Sequence, residues 1–245
     1  GLLCDGFSEK RLGQMAGLFA SIEGCDPDAL VYRAYRNIRF PKDDPLWVRR
    51  GMRYDITVIQ PGDANGELFK TSGHYHGSAA YSELPYPELY EVVKGTVAFV
   101  LQRDELYDTD MEGSPDDVRT VIVHEGESVI IPPFCGHGSI NVADEVSAFS
   151  NIAVVDCPVL YDAVKERHGL AARVMRGADG PELGANDEYD LYDEPRFARP
   201  LEAPGLGVSF GVPCYGHYVE NPDTYRWLTH VDEYMQVIPH LTERS

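Results

Sequence analysis

The stretch Glu88-Leu89-Tyr90-Glu91-Val92-Val93-Lys94, Gly95, Thr96-Val97-Ala98-Phe99-Val100-Leu101-Gln102 sets two apolar β-type runs on either side of one glycine turn. Branched and aromatic side chains of this kind suit a pleated surface that is buried on at least one face. Working outward, runs of the same character occupy Tyr54 to Gln60, the region from Val118 to Val123, Ser128 to Ile131, and Val146 to Val155, with Gly and Pro clusters between them. No helix of roughly 10 to 15 residues is inserted between successive strands, which predicts an antiparallel sandwich or barrel and not a doubly wound sheet. The core is therefore expected to be all-β.

The flanks read differently. From Ser8 to Ile22, the residues Leu12, Met15, Leu18, Phe19 and Ile22 recur at three- and four-residue spacing, predicting a helix with Ser8 as its N-cap. Asp104 to Asp117 is strongly acidic around Gly113-Ser114-Pro115 and reads as a solvated hairpin excursion. Residues 176–206, rich in Gly, Pro, Asp and Glu, predict an extended surface strap or a partly disordered linker. Asn221-Pro222 opens a second helix, whose apolar face is Trp227, Leu228, Val231, Tyr234, Met235 and Ile238. That helix is expected to dock on the β core or on a second subunit. The resulting division is an N-terminal helical arm (1–50), a β domain (51–162) and a C-terminal extension with strap and terminal helix (163–245).

Composition narrows the function. The 245 residues carry 21 Lys+Arg against 40 Asp+Glu, a formal charge of −19. Nucleic acid is disfavoured as a partner, because phosphate backbones are bound mainly by clustered Lys and Arg. No apolar stretch approaches the roughly 18 residues of a membrane span. The start, Gly1-Leu2-Leu3-Cys4-Asp5, lacks Met, which reads as a processed or engineered end, and lacks the charged and apolar regions of a signal peptide; a cytoplasmic protein is expected. The cysteines at 4, 25, 135, 157 and 214 contain no C-x-x-C pair and read as free thiols, with Cys135 a candidate for the mouth of a pocket. Gly205-Leu-Gly207-Val-Ser-Phe-Gly211 has its third glycine one residue late for a dinucleotide fingerprint and no strand-then-helix around it.

The chemistry concentrates in Thr71-Ser-Gly-His-Tyr-His76. Two histidines at i and i+2 share one face of a strand and can grip one metal ion, while Tyr75 between them faces the opposite side as core. Glu88, opening the next strand, adds a carboxylate, and His137 in Pro132-Pro-Phe-Cys-Gly-His137 adds a third imidazole. Such N/O ligation suits Fe, Mn, Ni or Zn as the divalent ion, one per subunit, without choosing among them. His124, His168, His217, His230 and His240 lack a matching cluster and read as structural or surface residues. Asn141 is expected to orient the loop carrying His137.

These spacings resemble the two cupin motifs: His74-x-His76, Glu88 and Gly95 for the first, and Gly126, Pro132, His137 and Asn141 for the second. Two departures stand out. Eleven residues separate His76 from Glu88, a longer loop than in many cupins, and Phe134 stands where the second motif usually has glycine. The wider frame, Glu67-x-x-x-Thr71-x-Gly73-His74-x-His76, Glu88-x-Tyr90 and Pro132-Pro133-x-x-x-His137-x-x-x-Asn141, together with Thr57, resembles the cupin-type (archaeal-type) glucose-6-phosphate isomerases over roughly residues 50–160. The tail from Tyr215 to Leu228 looks similar to the C-terminal segment of longer bacterial members. The resemblance implies a double-stranded β-helix or jelly-roll barrel with N- and C-terminal helical extensions, a homodimer, and a sugar phosphate as substrate. It implies His74, His76, Glu88 and His137 as metal ligands, Thr57, Thr71 and Gly73 around the sugar phosphate, and Glu88 and Tyr90 as catalytic candidates, with Tyr90 lining the sugar. It also places aromatic contacts after the last core strand, where Tyr161 is not securely aligned.

The implied reaction moves one hydrogen between C1 and C2. A divalent metal would polarise the carbonyl and hold both carbons. Either Glu88 takes the C2 proton or a metal-assisted hydride shift occurs, and both remain open. Backbone N–H groups near Gly73, the hydroxyls of Thr57 and Thr71, and Lys94 or Arg53 are the donors on offer for the phosphate. With a charge of −19, affinity for a dianion must come from the metal and a few directed donors. Two competing readings keep the same site: an Fe(II) dioxygenase, distinguished by oxygen uptake, and a non-enzymatic sugar-phosphate-binding cupin, distinguished by thermal stabilisation without turnover.

Overall fold

The computed structural model describes residues 1–80, 82–107, 114–238 and 242–244. In chain order its strands are β1 (Gly6–Arg11), β2 (Leu30–Arg36), β3 (Met52–Ile59), β4 (Asp63–Ala64), β5 (Glu67–Leu68), β6 (Tyr75–His76), β7 (Glu88–Lys94), β8 (Thr96–Arg103) and β9 (Asp117–His124). They continue as β10 (Ser128–Ile131), β11 (Cys135–Asn141), β12 (Ser147–Val154), β13 (Val159–Leu160), β14 (Ala172–Arg176), β15 (Pro181–Ala185), β16 (Arg196–Pro200) and β17 (Thr242–Arg244). The α-helices are short: α1 (Asp44–Arg50), α2 (Asp162–Glu166) and α3 (Cys214–Glu220).

One sheet has six strands in the order β1-β2-β3-β12-β7-β10, and the other has five in the order β11-β8-β9-β16-β17. Pairing is antiparallel throughout except where β16 runs parallel to β9. The two sheets face each other across a core to which the first contributes Ile59, Val92, Val129 and Phe149 and the second Val97, Phe99, Leu101 and Val121. This is the all-β sandwich expected from the runs around Glu88 to Gln102, with the predicted strands at β3, β7, β8, β9, β10 and β12.

Alternate residues explain why those runs are apolar on both faces. Tyr90 and Val92 point into the sandwich, while Leu89, Ile130 and Ile152 point out of it, into a second core with Trp47, Tyr218, Trp227 and Leu228. A third layer, Leu170, Ala172 and Val174, covers Ala98, Val100 and Ile140 on the outer face of the five-stranded sheet. Chain-distant segments therefore pack both outer faces.

The flanks correct the sequence reading. Residues 8–22 do not form one helix: Ser8 lies inside β1, paired with Ala34 of β2, and a 3-10 helix follows at Leu12–Leu18. The apolar stripe is nonetheless buried, since Leu12, Met15, Leu18 and Phe19 all enter the sandwich core. Strand pairing with β2 wins in the first half, and Gly13 and Gly17 weaken helix formation in the second. The first 50 residues are thus two strands of the main sheet with short helical turns, not a separate helical arm. The strap between 176 and 206 is partly sheet, through β15 and β16. Pro222 does open a helix, but of the 3-10 type, Pro222–Leu228, with a second at Val231–Tyr234. Trp227, Leu228, Val231 and Ile238 are fully buried in one cluster with Leu89, Ile130 and Ile152 of the six-stranded sheet, so this segment docks on the β core. Part of the acidic excursion (108–113) and His240 lie outside the described residues.

Candidate metal centre

Three elements bring the predicted ligands together. His74 and His137 exchange backbone hydrogen bonds, His74 N–H to His137 O at 3.0 Å and His137 N–H to His74 O at 2.9 Å, so β11 presents its imidazole against the edge that ends in β6. Glu88 is the first residue of β7 and points up from the opposite sheet. Tyr75 turns the other way, as expected, stacking on Tyr107 at 4.3 Å and accepting a hydrogen bond from Gln102 Nε2 at 2.6 Å. That packing dictates the glycine before His137: a Cβ on Gly136 would lie 2.4 Å from the Tyr75 ring.

One ligand atom from each of His74, His76, Glu88 and His137 lies within 4.8 Å of the others. His76 Nδ1–H donates to Tyr86 O at 2.8 Å and His137 Nδ1–H donates to Cys135 O at 3.0 Å, which aims both Nε2 atoms into the cluster, where His76 Nε2 lies 3.2 Å from His74 Nε2. His137 Nε2 is buried without a hydrogen-bond partner, 3.6 Å from Glu88 Oε2. Glu88 itself is gripped from behind: Asn151 Nδ2 donates to Oε1 at 2.6 Å and the Tyr90 hydroxyl to Oε2 at 2.9 Å. Three lone pairs and a carboxylate converging on one point, with an orphaned buried acceptor among them, fit a divalent cation.

The electrostatics agree with ligation at His74, His137 and Glu88, while His76 carries a proton that a cation would displace. Burial, reinforced by His137 and His76, holds the His74 imidazole well below its usual range, and burial likewise lowers His137 despite the nearby Glu88 carboxylate. Burial opposes the charge on Glu88, but its contacts with His137 and His76 outweigh this and keep the carboxyl well below the usual range. Burial also opposes the charge on His76, yet Cys157 and Glu88 raise it to about 10. Burial, then the charge on Glu88, pushes the Tyr90 phenol well above its usual range.

The cavity over this cluster is also lined by Thr57, Thr71, Gly73 and Tyr90. Gly73 adopts a left-handed φ of 74°. Thr71 Oγ1 already accepts the Ser139 N–H at 2.9 Å and keeps its own proton for donation. Tyr161 lines the same cavity, its ring 5.5 Å from that of His74. Of the two cations weighed for the phosphate, Arg53 lines the cavity, and Lys94 is exposed on β7 outside the lining. Cys135 does not reach the mouth; its side chain is buried in a separate cavity with Leu101, Ile130 and Phe134, and only its carbonyl serves His137. Asn141 contacts Ile59 O, Glu145 O, Ala143 N–H and Ser147 and so braces the β11 to β12 turn without touching His137. His124, His168, His217 and His230 bond elsewhere. Sequence reasoning missed Tyr32, Arg36, Ser72 and Asn151, which line the cavity from β2, the loop before β6, and β12.

A family model described as glucose-6-phosphate isomerase matches residues 12–189. The chain is 28% identical over 162 residues to a glucose-6-phosphate isomerase of Thermococcus onnurineus, covering 64% of this chain and 75% of that one. It is 27% identical over 199 residues to the Pyrococcus furiosus enzyme of the same name, covering 78% and 88%. Among solved structures it is similar to oxalate oxidase (14% identity, TM-score 0.31, 62% of this chain and 50% of that one). It is also similar to oxalate decarboxylase of Bacillus subtilis (16%, TM-score 0.35, 51% and 26%). The chain thus spans half or less of the length of those two solved chains.

Proposed function

The chain belongs to the glucose-6-phosphate isomerase family, and on that premise we infer that it interconverts glucose 6-phosphate and fructose 6-phosphate in the cavity above His74, His76, Glu88 and His137. The observation that carries the site is the convergence of those four ligand atoms within 4.8 Å, two of the imidazoles being fixed through Nδ1. We assign them one divalent ion of the Fe, Mn, Ni or Zn kind; when bound, it supplies Lewis acidity toward the oxygens on C1 and C2. The chain's own groups do the rest. Glu88 stays ionised and is oriented by Asn151 and Tyr90, so it can accept the proton on C2 and return it to C1. Tyr90, with its pKa raised, is a donor and not a base at neutral pH. Thr57, Thr71 and the backbone at Gly73 offer neutral donors to the substrate.

Purified protein should convert fructose 6-phosphate to glucose 6-phosphate, lose activity to a chelator and regain it with one of these metals. Inactivity with every divalent metal would refute the reading. Turnover in D2O tests the proton route: deuterium entering C2 of the product supports Glu88 as the base, and full retention of the substrate hydrogen would leave it a ligand only. A homodimer is proposed through the exposed edge strand β1, where Phe7 is solvent-facing; light scattering on the purified chain checks it. Among the described residues, no helix is long and apolar enough to cross a membrane.

A further inference from the structure

Both departures from the cupin motifs bear on one ligand, His76. The longer loop between His76 and Glu88 supplies Tyr86, whose carbonyl accepts the His76 Nδ1–H at 2.8 Å and so fixes the ring. The backbone is fixed from elsewhere: the Tyr107 hydroxyl donates to His76 O at 2.5 Å. Tyr107 stands at the base of the acidic excursion, which reads from sequence as a solvated hairpin, and the local chain explains how it reaches the ligand. β8 ends at Arg103, and Asp104 turns the chain, its N–H donating to Phe134 O at 3.0 Å and its carboxylate accepting the Leu106 N–H at 2.8 Å. Phe134, standing where the second motif usually has glycine, holds a left-handed φ of 64°. A side chain disfavours that conformation, so the contacts around it hold it in place.

With the turn anchored, the Tyr107 ring lies against Tyr75, stacked at 4.3 Å and 5° from parallel. Tyr75 has little freedom to yield. Gln102, fully buried on β8, donates from Nε2 to the Tyr75 hydroxyl oxygen at 2.6 Å and to that of Tyr189 at 3.3 Å, while its Oε1 accepts the Ala171 N–H at 2.7 Å. Gly136 packs so closely that a Cβ there would lie 2.4 Å from the Tyr75 ring. Successive side chains on a strand point opposite ways, so a Tyr75 ring that neither slides nor turns dictates the direction of His74 and His76. Tyr107 therefore acts on His76 twice, through its carbonyl and through Tyr75. It lies outside the lining of the cavity and reaches neither ion nor substrate itself.

We propose that Tyr107 is a positioning residue for the metal centre, holding His76 at the angle ligation needs, with Tyr75 and Gln102 as the wall it bears on. This rests on the metal-centre reading, and the test keeps the two separable. Full-length wild type, Y107F, Y107L and Y189F are stripped of metal, then compared by titration with Mn(II) and by NMR of the imidazole N–H protons. Y107F keeps the ring stack and loses the hydroxyl, Y107L loses both, and Y189F removes a hydroxyl from the same glutamine without touching His76. The Mn(II) dissociation constant should rise about tenfold in Y107F and up to about a hundredfold in Y107L, and stay within about twofold in Y189F. The His76 Nδ1–H, bonded to Tyr86 O, should exchange slowly with solvent in wild type and Y189F and clearly faster in Y107F. Wild-type affinity in both Tyr107 variants, unchanged exchange of that proton in Y107F, or an equal loss of affinity in Y189F would overturn the proposal, the last because it would mark general loosening. A wild type that binds none of Fe, Mn, Ni or Zn would instead overturn the metal-centre reading, while proton exchange, read without metal, still decides whether Tyr107 holds His76.

Discussion

At Glu88 two donors, Asn151 and Tyr90, fix the carboxylate from behind while two imidazoles face it from the front. Partners of this kind set ligand orientation, and removing one typically lowers metal affinity or activity about 10- to 100-fold. Asn151→Ala should therefore weaken metal binding by that factor, read by titration of the metal-free protein, with the melting temperature little changed; wild-type affinity would show that Tyr90 alone suffices. The histidines make a pH prediction for the metal-free state. Burial puts His74 and His137 below the unfolded value near 6.5, so the unfolded chain binds more protons than the folded one as pH falls. Their contribution is complete above about pH 6.5 and is lost as pH drops through the folded values. His76, raised to about 10, acts with the opposite sign: its contribution is complete below about pH 6.5 and is lost as pH rises toward 10, so it adds little slope only below about pH 6. Chelator-treated protein should thus melt at progressively lower temperature as pH falls below about 6; a flat profile there would mean that the rings charge freely. Of the candidate ligands, His74 and His76 were legible from spacing, because i and i+2 on a strand determine a shared face. Asn151 and Arg36 were not, because only the cross-strand register brings positions 36, 55 and 151 beside Glu88 and Tyr90.

At the scale of elements, the two apolar runs around Gly95 became adjacent strands in opposite sheets, with side chains alternating between cores as period two demands. β11 escaped notice because Gly136, Gly138, Ser139 and Asn141 have low strand propensity; it is a strand because close packing against Tyr75 and Leu170 leaves no room for larger residues. Gly136→Ala should therefore lower stability by about 1 to 3 kcal/mol in denaturant unfolding. A neutral result would mean that Tyr75 shifts freely. The C-terminal 3-10 segments matter for the same reason: they cover the outer face of the six-stranded sheet. Trp227→Ala, at a fully buried site, is expected to cost about 3 to 5 kcal/mol, and a smaller loss would show that this cover is peripheral.

For the whole molecule, the charge of −19 sets the field against which a dianionic substrate must be held. Directed donors in a cavity act over a few ångströms and are screened less than a basic surface, so KM should change by less than about threefold between low and about 0.3 M salt. A steep rise would point to long-range steering. Chelation should lower the melting temperature and metal return should restore it, since an ion binding only the folded arrangement stabilises it.

Residue order alone pointed to the all-β class and to His74, His76, Glu88 and His137 as a candidate ligand set, because side-chain period, turn glycines and short spacings are local signals; Thr57, Thr71 and Gly73 came from the resemblance to the family. Tertiary structure decided that residues 6–36 join the main sheet, that the tail packs as broken 3-10 turns, and that Arg36, Arg53 and Asn151 line one pocket with Asp55 buried against the two arginines. Those outcomes depend on strand order and register, such as Asp55 opposite Asn151, which arise from packing between separate segments and leave no periodic mark in the chain.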